Sequence, residues 1–573
     1  MEVTLIAVVG VASIVAVAAF SQRLGLAAPL SLVVVGIALS FVPGVPVVET
    51  DPEWVLAGVL PPLLYSAAVN MPATDFRRDL RSIGGLAVLL VVASTLGAGW
   101  LVHLLVPDLG WPAAFALGAV ISPTDAVAAT SVGRKLGLPS RLLTLLEGEG
   151  LVNDASALVL LRSAIAALAA SVSVWSVAGK FVLSVVIAVA IGMIVGIVNV
   201  KVRALLDDTV LNTAISFVVP FVAFVPAEEF DASGVLAVVV TGLVTGHLGP
   251  RLLRAQDRLG EEMNWRTLAF LLESAIFLLM GLSLKTLIDE AHTHANGMGA
   301  WWAFLYGLAL TGFVIVVRIV FVVPLMALVR RDERRAAAAK PLIESWQDRL
   351  ATFDLTERFG TRKKERIERR VTRVGADIEF RLNETLGWRG GVVLAWSGMR
   401  GAITVAAAQT LPEETPYRPQ LILMAFVVAA VTLLLQGLSL PAVIRTVKVP
   451  GDDVTRLRKD YGLLMRALSQ AADEALDARA ERDGIAPAVV ERARVDSLFS
   501  ATRTGRGQQP GPDPEARLEY LHLRLAATAA QRTALLKARS DGTISSRALN
   551  DTQQILDLEE ARMQQVSNRV DSE

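Results

Sequence analysis

Apolar runs of about 20 residues recur from the N-terminus to about Val449, and this pattern limits the possible folds more than any single motif does. A soluble domain can reach 53% hydrophobic residues, but it does not arrange them in repeated blocks of bilayer length. The chain therefore reads as an all-α polytopic membrane protein. Hydropathy places about thirteen spans, at roughly 3–20, 28–43, 53–71, 83–106, 112–132, 142–170, 175–200, 209–226, 233–248, 266–288, 301–329, 388–410 and 420–447.

Alternate connections between these spans carry the basic residues. One side receives Arg23, then Arg77, Arg78 and Arg81, then Arg134, Lys135 and Arg141, then Lys201 and Arg203, then Arg251, Arg254 and Arg258. The other side has Glu49, Asp51, Asp108, Glu228, Glu229, Asp231 and Asp289, with Arg418 as its base. The positive-inside rule makes the basic side cytoplasmic, so the N-terminus is expected outside and the C-terminus in the cytoplasm. Ala16-Val17-Ala18 resembles a signal-peptide cleavage site, but the preceding residues hold Glu2 and no base, so the first span is read as retained.

Residues 1–449 form the expected transmembrane domain, interrupted by a charged insert at 330–387. There Leu342, Trp346, Leu350 and Phe353 fall at helical spacing, which predicts a cytoplasmic pair of amphipathic helices. Residues 450–573 read as a helical cytoplasmic domain, broken by a low-complexity linker at 504–514. With no binding motif visible, a role for this tail in stability or dimer contact is favoured over sensing. Cys is absent, which excludes disulfides and thiolate metal sites. No Walker, dinucleotide, zinc-helix or nucleophile-elbow motif is found, so no cofactor, no nucleic-acid partner and no enzyme reaction are called for. His292 and His294 form an HxH in an outer loop, and two ligands do not make a metal site.

The stretch EGEGLVND (147–154) puts Glu147, Glu149 and Asp154 inside a span. An ionised acid at mid-membrane costs about 2.5–3.5 kcal/mol on insertion scales, and three cost roughly 8–10 kcal/mol unless paired or facing a polar cavity. Glu147 is nearest the cytoplasmic end and reads as structural. Gly150 and Asp154 share a helix face, and Gly150 is expected to leave room above the Asp154 carboxylate for an ion or water. In the span before, GAVISPTDAVAAT (118–130) contains Pro123, which breaks the helix, with Thr124 and Asp125 directly after it. Asp125 either holds the broken backbone or ligates an ion. Arg318 lies within the eleventh span, and Arg400, flanked by Gly398 and Gly401, within the twelfth. An unpaired Arg in lipid is implausible, so Glu149 is expected to pair with Arg318 while Arg400 compensates a broken helix end. Asp154 is left without an obligate partner.

SPTDAVA followed by EGEGLVNDASALV, with LPPLLYSAA (60–68) upstream and GMRGA downstream, resembles the monovalent cation:proton antiporter family, in its NhaP-type branch related to sodium/proton exchangers. The resemblance covers about 1–447. It implies two inverted six-helix repeats joined by a central helix, with the fifth and twelfth spans as crossing broken helices. It also implies a homodimer. By the same resemblance Asp154, beside Asn153, is the exchanging carboxylate and binds the monovalent cation, Thr124 and Asp125 contribute from the broken helix, and Glu149 with Arg318 is a structural ion pair. The family often has Ser where Gly150 stands, and some members have an acid where Ser66 stands, so the coordination shell here is poorer in protein oxygen.

The expected activity is exchange of Na+, with Li+ or K+ as alternatives, for H+ in a bacterial plasma membrane. With one titrating acid per site, the simplest stoichiometry is one cation per proton, which is electroneutral. A cation channel would need the polar residues to line one continuous pore. A membrane scaffold would use the acids for helix pairing alone.

Overall fold

The computed structural model describes residues 2–24, 27–43, 45, 51–169, 174–293, 298–352, 361–499 and 514–570, and all the regular structure among them is helical. Glu49, His294, Phe353 and the linker residues 504–513 lie outside the described residues.

The first half of the membrane region begins with α1 (Glu2–Leu24) and α2 (Ala28–Ser40). A π-helical stretch (Trp54–Val59) then leads into α3 (Leu60–Asn70). Pro61 and Pro62 have no amide hydrogen to give the carbonyls one turn earlier, which accounts for the irregular start of this span. Two short helices, α4 (Ala73–Arg78) and α5 (Leu80–Gly84), lead through a second π-helical stretch (Gly85–Leu90) into α6 (Val91–Leu105). The fifth crossing is broken into α7 (Trp111–Ile121) and α8 (Val127–Lys135), and the sixth is α9 (Ser140–Ala169). Helix α10 (Val174–Arg203) is the central seventh crossing.

The second half contains α11 (Thr209–Glu229), α12 (Gly234–Leu252), α13 (Ala255–Leu282) with a short continuation α14 (Leu284–Thr293), and α15 (Ala300–Thr352). After α16 (Thr361–Asn383) the twelfth crossing is again broken, into α17 (Gly387–Trp396) and α18 (Ile403–Gln409). Helix α19 (Arg418–Val447) is the thirteenth. Eight helical segments among the described residues are long and apolar enough to cross a membrane unaided. The other five crossings are α1, α2, the Trp54–Asn70 segment and the two broken helices. Both broken helices are fifth in their half, and the odd crossing between the halves inverts one relative to the other.

Hydropathy misplaced several ends. Helix α13 starts eleven residues before the expected 266 because its first three turns are amphipathic and buried by Asp257, Glu261 and Trp265. Helix α15 does not stop near 329. It runs unbroken to Thr352, through Pro324 and Pro341, and packs along α16, so the insert is the outer half of a membrane helix paired with one further helix.

Two packing units emerge. Helices α3, α10, α11, α12 and α13 pack on one another around a core that includes Leu64, Tyr65, Val219, Val238 and Trp265, and α2 joins α13. The α2–α13 crossing is close because a Cβ on Gly36 would sit 2.5 Å from Leu278 O and one on Gly281 2.5 Å from Val33 O. Helices α6, α7, α9, α15, α17 and α19 pack around a second core rich in Leu, Val and Ala. The tail consists of α20 (Val454–Asp483), α21 (Pro487–Phe499), α22 (Pro514–Asp541) and α23 (Ser546–Val570); α20, α22 and α23 pack together through Leu464, Leu468, Leu535 and Leu549, and α21 packs through Val490 and Ala493 against Leu476 and Leu523. The tail lies against one end of the bundle, called the tail face below.

Candidate functional site

The two broken crossings meet mid-bundle. Residues 122–126 and 397–402 form the non-helical links, and they are joined where Asp125 N donates to Met399 O at 2.7 Å. Each break leaves a helix C-terminus with bare carbonyls and a helix N-terminus with bare amides. Arginines serve the carbonyl ends. Arg400 Nε donates to Ile121 O, the last residue of α7, at 3.1 Å. Arg318 Nε and Nη2 donate to Leu394 O, in the last turn of α17, at 3.1 and 3.0 Å. A carboxylate serves an amide end: Asp125 Oδ1 accepts from Val127 N at the start of α8, at 2.8 Å. The glycines beside Arg400 make room for these charges. A Cβ on Gly398 would lie 2.4 Å from Arg318 Cδ, and one on Gly401 2.5 Å from Asp125 Oδ2.

Helix α9 runs beside the crossing and presents three polar side chains to it. Glu149 is 2% exposed and takes both terminal nitrogens of Arg318, itself 1% exposed, with Nη2 to Oε2 at 2.9 Å. Thr124 Oγ1 donates to Glu149 Oε1 at 2.7 Å. Asn153 Nδ2 donates to Thr124 O at 2.8 Å and to Thr124 Oγ1 at 3.0 Å. A carbonyl can only accept, so this contact fixes the amide orientation and leaves Asn153 Oδ1 buried without a partner among the described residues.

Asp154 is 9% exposed, and its carboxylate makes no hydrogen bond or ion pair with any described residue. It borders a space of about 10 Å³, roughly what one water needs, enclosed chiefly by Val120, Pro123, Leu158, Leu161 and Ile403. That space lies on the side of Asp154 away from the tail face, so apolar side chains all but close the site in that direction. On the tail-face side a cavity of about 320 Å³ reaches inward to Ser66, Thr245 and Trp265.

The structure thus gathers Thr124, Asp125, Glu149, Asn153, Asp154, Arg318 and Arg400 at one crossing. Gly150 differs from expectation. Its missing Cβ would sit 3.1 Å from Ala126 Cβ, so the glycine lets α9 lie close against the broken link and does not open space above Asp154. Glu147 forms a surface pair with Arg134 near the tail face.

Sequence reasoning missed other charges inside the bundle. Glu273, on α13, sits within electrostatic reach of Asp125. The signal that could have found it is the one used for residues 147–154, an acid inside an apolar run, here FLLESAIFLLM. Arg203 and Arg141 read as loop bases, yet both are buried. Arg203 pairs bidentately with Glu261, and Arg141 pairs with Asp79 at 2.7 Å. The partners are 58 and 62 residues away along the chain, so no local pattern announces them.

A sequence profile described as "Sodium/hydrogen exchanger, transmembrane" matches residues 9–446. An uncharacterised Na+/H+ exchanger of Mycobacterium tuberculosis is 30% identical over 96% of this chain and 95% of its own length. The Na+/H+ antiporter ApNhaP of Aphanothece halophytica is 27% identical over 87% of this chain and 82% of its own. The structure of the sodium proton antiporter MjNhaP1 of Methanocaldococcus jannaschii superposes with a TM-score of 0.54, covering 78% of this chain and 99% of that one. At 14% identity this is a likeness of fold. With its broken helices crossed as described and the family profile spanning its membrane region, the chain belongs to the sodium/hydrogen exchanger family.

Proposed function

We propose that this protein is a secondary active antiporter that exchanges Na+ for H+ at Asp154 by alternating access. The observation that carries the reading is the division of labour among the site's acids. Glu149 is committed to Arg318 and Thr124, and Asp125 to the α8 amide end, whereas Asp154 is buried with no partner among the described residues. Such a carboxylate is stable in the membrane when it holds either a proton or a cation, and it does not hold both favourably. Asn153 Oδ1, on the residue beside Asp154, is an uncommitted oxygen among the described residues, and water supplies the rest of the shell that Gly150 does not. Thr124 positions Asn153 and completes the Glu149 carboxylate. The Glu149–Arg318 pair and Arg400 hold the broken helices without joining the exchange.

One exchanging acid per site gives one Na+ for one H+, hence electroneutral transport. The tail face is cytoplasmic by its excess of bases, the N-terminus is outside, and the protein resides in the plasma membrane as a homodimer. Motion of the two packing units against each other opens the site first to one side and then to the other. The test is Asp154→Asn in proteoliposomes, read as Na+-driven H+ movement. The variant is expected to insert normally and to lose the flux, while wild-type flux is unaffected by an imposed potential. Undiminished flux through the variant would refute the assignment.

A further inference from the structure

Helix α9 belongs to one packing unit and α11 and α12 to the other, and they meet on the side of Asp154 away from the tail face. There Ala155 and Leu158 of α9 and Ile403 of α18 fall in one apolar cluster with Ala223 and Phe224 of α11 and Val235 of α12. This seam continues the apolar enclosure of Asp154 by Leu158, Leu161 and Ile403. It is a contact between units, so it must part before the site can open in that direction.

The seam ends in a charge pair. Arg162 stands just over two turns beyond Asp154, about 12 Å along α9. Its Nη2 meets Glu228 Oε2 at 2.5 Å. Glu228, in the last turn of α11, is held for this contact, because its Oε1 accepts from Gly234 N at the start of α12 at 2.8 Å. A Cβ on Gly234 would lie 2.8 Å from that same oxygen, so a side chain there would push the carboxylate off the amide. The pair thus ties α9 to the corner between α11 and α12. The Glu149–Arg318 pair, by contrast, lies within one unit, and relative motion of the units leaves it intact.

We propose that Arg162 and Glu228 form a latch on the route to Asp154: paired, they hold the seam shut on the side away from the tail face, and their separation admits Na+ from that side. The Arg162 side chain is 53% exposed and that of Glu228 25%. A pair this accessible to water shifts an equilibrium only a few-fold. Both ions are rehydrated when the seam parts, so the latch biases the cycle without stopping it. A pair as buried as Glu149–Arg318 could not part in every turnover. The latch therefore sets the side from which Na+ is captured more readily. The inference rests on the antiport reading for its transport predictions, though not for the contact between the units.

The absence of Cys permits a clean test on the full chain. Leu158→Cys, in the seam, is expected to react about threefold faster with an impermeant maleimide, added on the side away from the tail, when Arg162→Gln is also present. In transport, Arg162→Gln is expected to lower the KM for Na+ presented on that side about threefold without lowering it on the tail-face side. Arg162→Glu with Glu228→Arg is expected to restore the KM. Arg162→Cys with Glu228→Cys, bridged by a bifunctional thiol reagent, is expected to stop flux until the bridge is cleaved. A merely structural pair would change the KM alike on both sides. Maleimide reactivity that ignores Arg162→Gln, or equal KM shifts on the two sides, would overturn the latch. Wild type without Na+-driven flux, with seam reactivity still rising in Arg162→Gln, would refute the antiport reading and leave the latch standing.

Discussion

Replacing Glu149 with Gln removes one charge from a site where nothing else can answer Arg318. That guanidinium is 1% exposed, and apart from Glu149 its only hydrogen-bond acceptor among the described residues is Leu394 O. Gln keeps the volume but offers one oxygen, so it cannot accept from both terminal nitrogens of Arg318 and from Thr124 Oγ1 as Glu149 does. Breaking a buried pair by removing one partner typically destabilises by about 3–5 kcal/mol, because a charge is left uncompensated in low dielectric. The loss should fall at the upper end here, since the Thr124 bond that orients Asn153 weakens with it. Replacing both partners by apolar residues of similar size, Glu149→Leu with Arg318→Met, should recover most of this, since the stranded charge is gone. The assay is thermal unfolding in detergent micelles for the two singles and the double, analysed as a double-mutant cycle. Glu149→Gln as stable as wild type, or a double variant no better than the worse single, would refute the view that Arg318 depends on Glu149 for its place in the membrane.

Two further outcomes follow from particular contacts. Gly401→Ala puts a Cβ 2.5 Å from Asp125 Oδ2 and 2.9 Å from Asp125 Cβ, so the side chain cannot swing clear; a loss of about 1–3 kcal/mol in micelle stability and a sharp drop in flux are expected. Burial first, and then the neighbouring Asp75, hold the Glu384 carboxyl up at about 7 from an ordinary 4.5. The unfolded chain therefore ionises before the folded one, and stability falls as pH rises from about 4.5 to 7, with no penalty below and the full penalty above. Glu384→Gln should thus stabilise the protein by about 1–3 kcal/mol at pH 8, the shift being partly screened by solvent, and leave it unchanged at pH 4. Equal effects at both pH values would refute this.

The membrane architecture was legible because bilayer length and apolar composition are local properties. Thirteen crossings, the break at Pro123 and the weakness around Gly398 and Gly401 could all be read along the chain. The intramembrane charges were legible because each is expensive where it stands, which is why Glu149, Asp154, Arg318 and Arg400 stood out. Glu273 obeys the same rule and was overlooked. Two kinds of information were out of reach. Gly150 was read as an opening, but whether a glycine makes a void or a close contact depends on Ala126 across the gap. The placement of the tail depends on pairs such as Arg258–Asp557, 299 residues apart, and on exposed-looking charges that become buried only when the two surfaces meet.

Helix α15 has 53 residues without interruption, and its membrane half holds Arg318 while its outer half leans on α16. At about 1.5 Å per residue, the portion beyond residue 330 projects roughly 33 Å, so a tilt of about 5° at the buried end sweeps the far tip through about 3 Å. The helix is a continuous pointer: a tilt of its membrane half carries outward to Trp346, in water, where a fluorophore can read it.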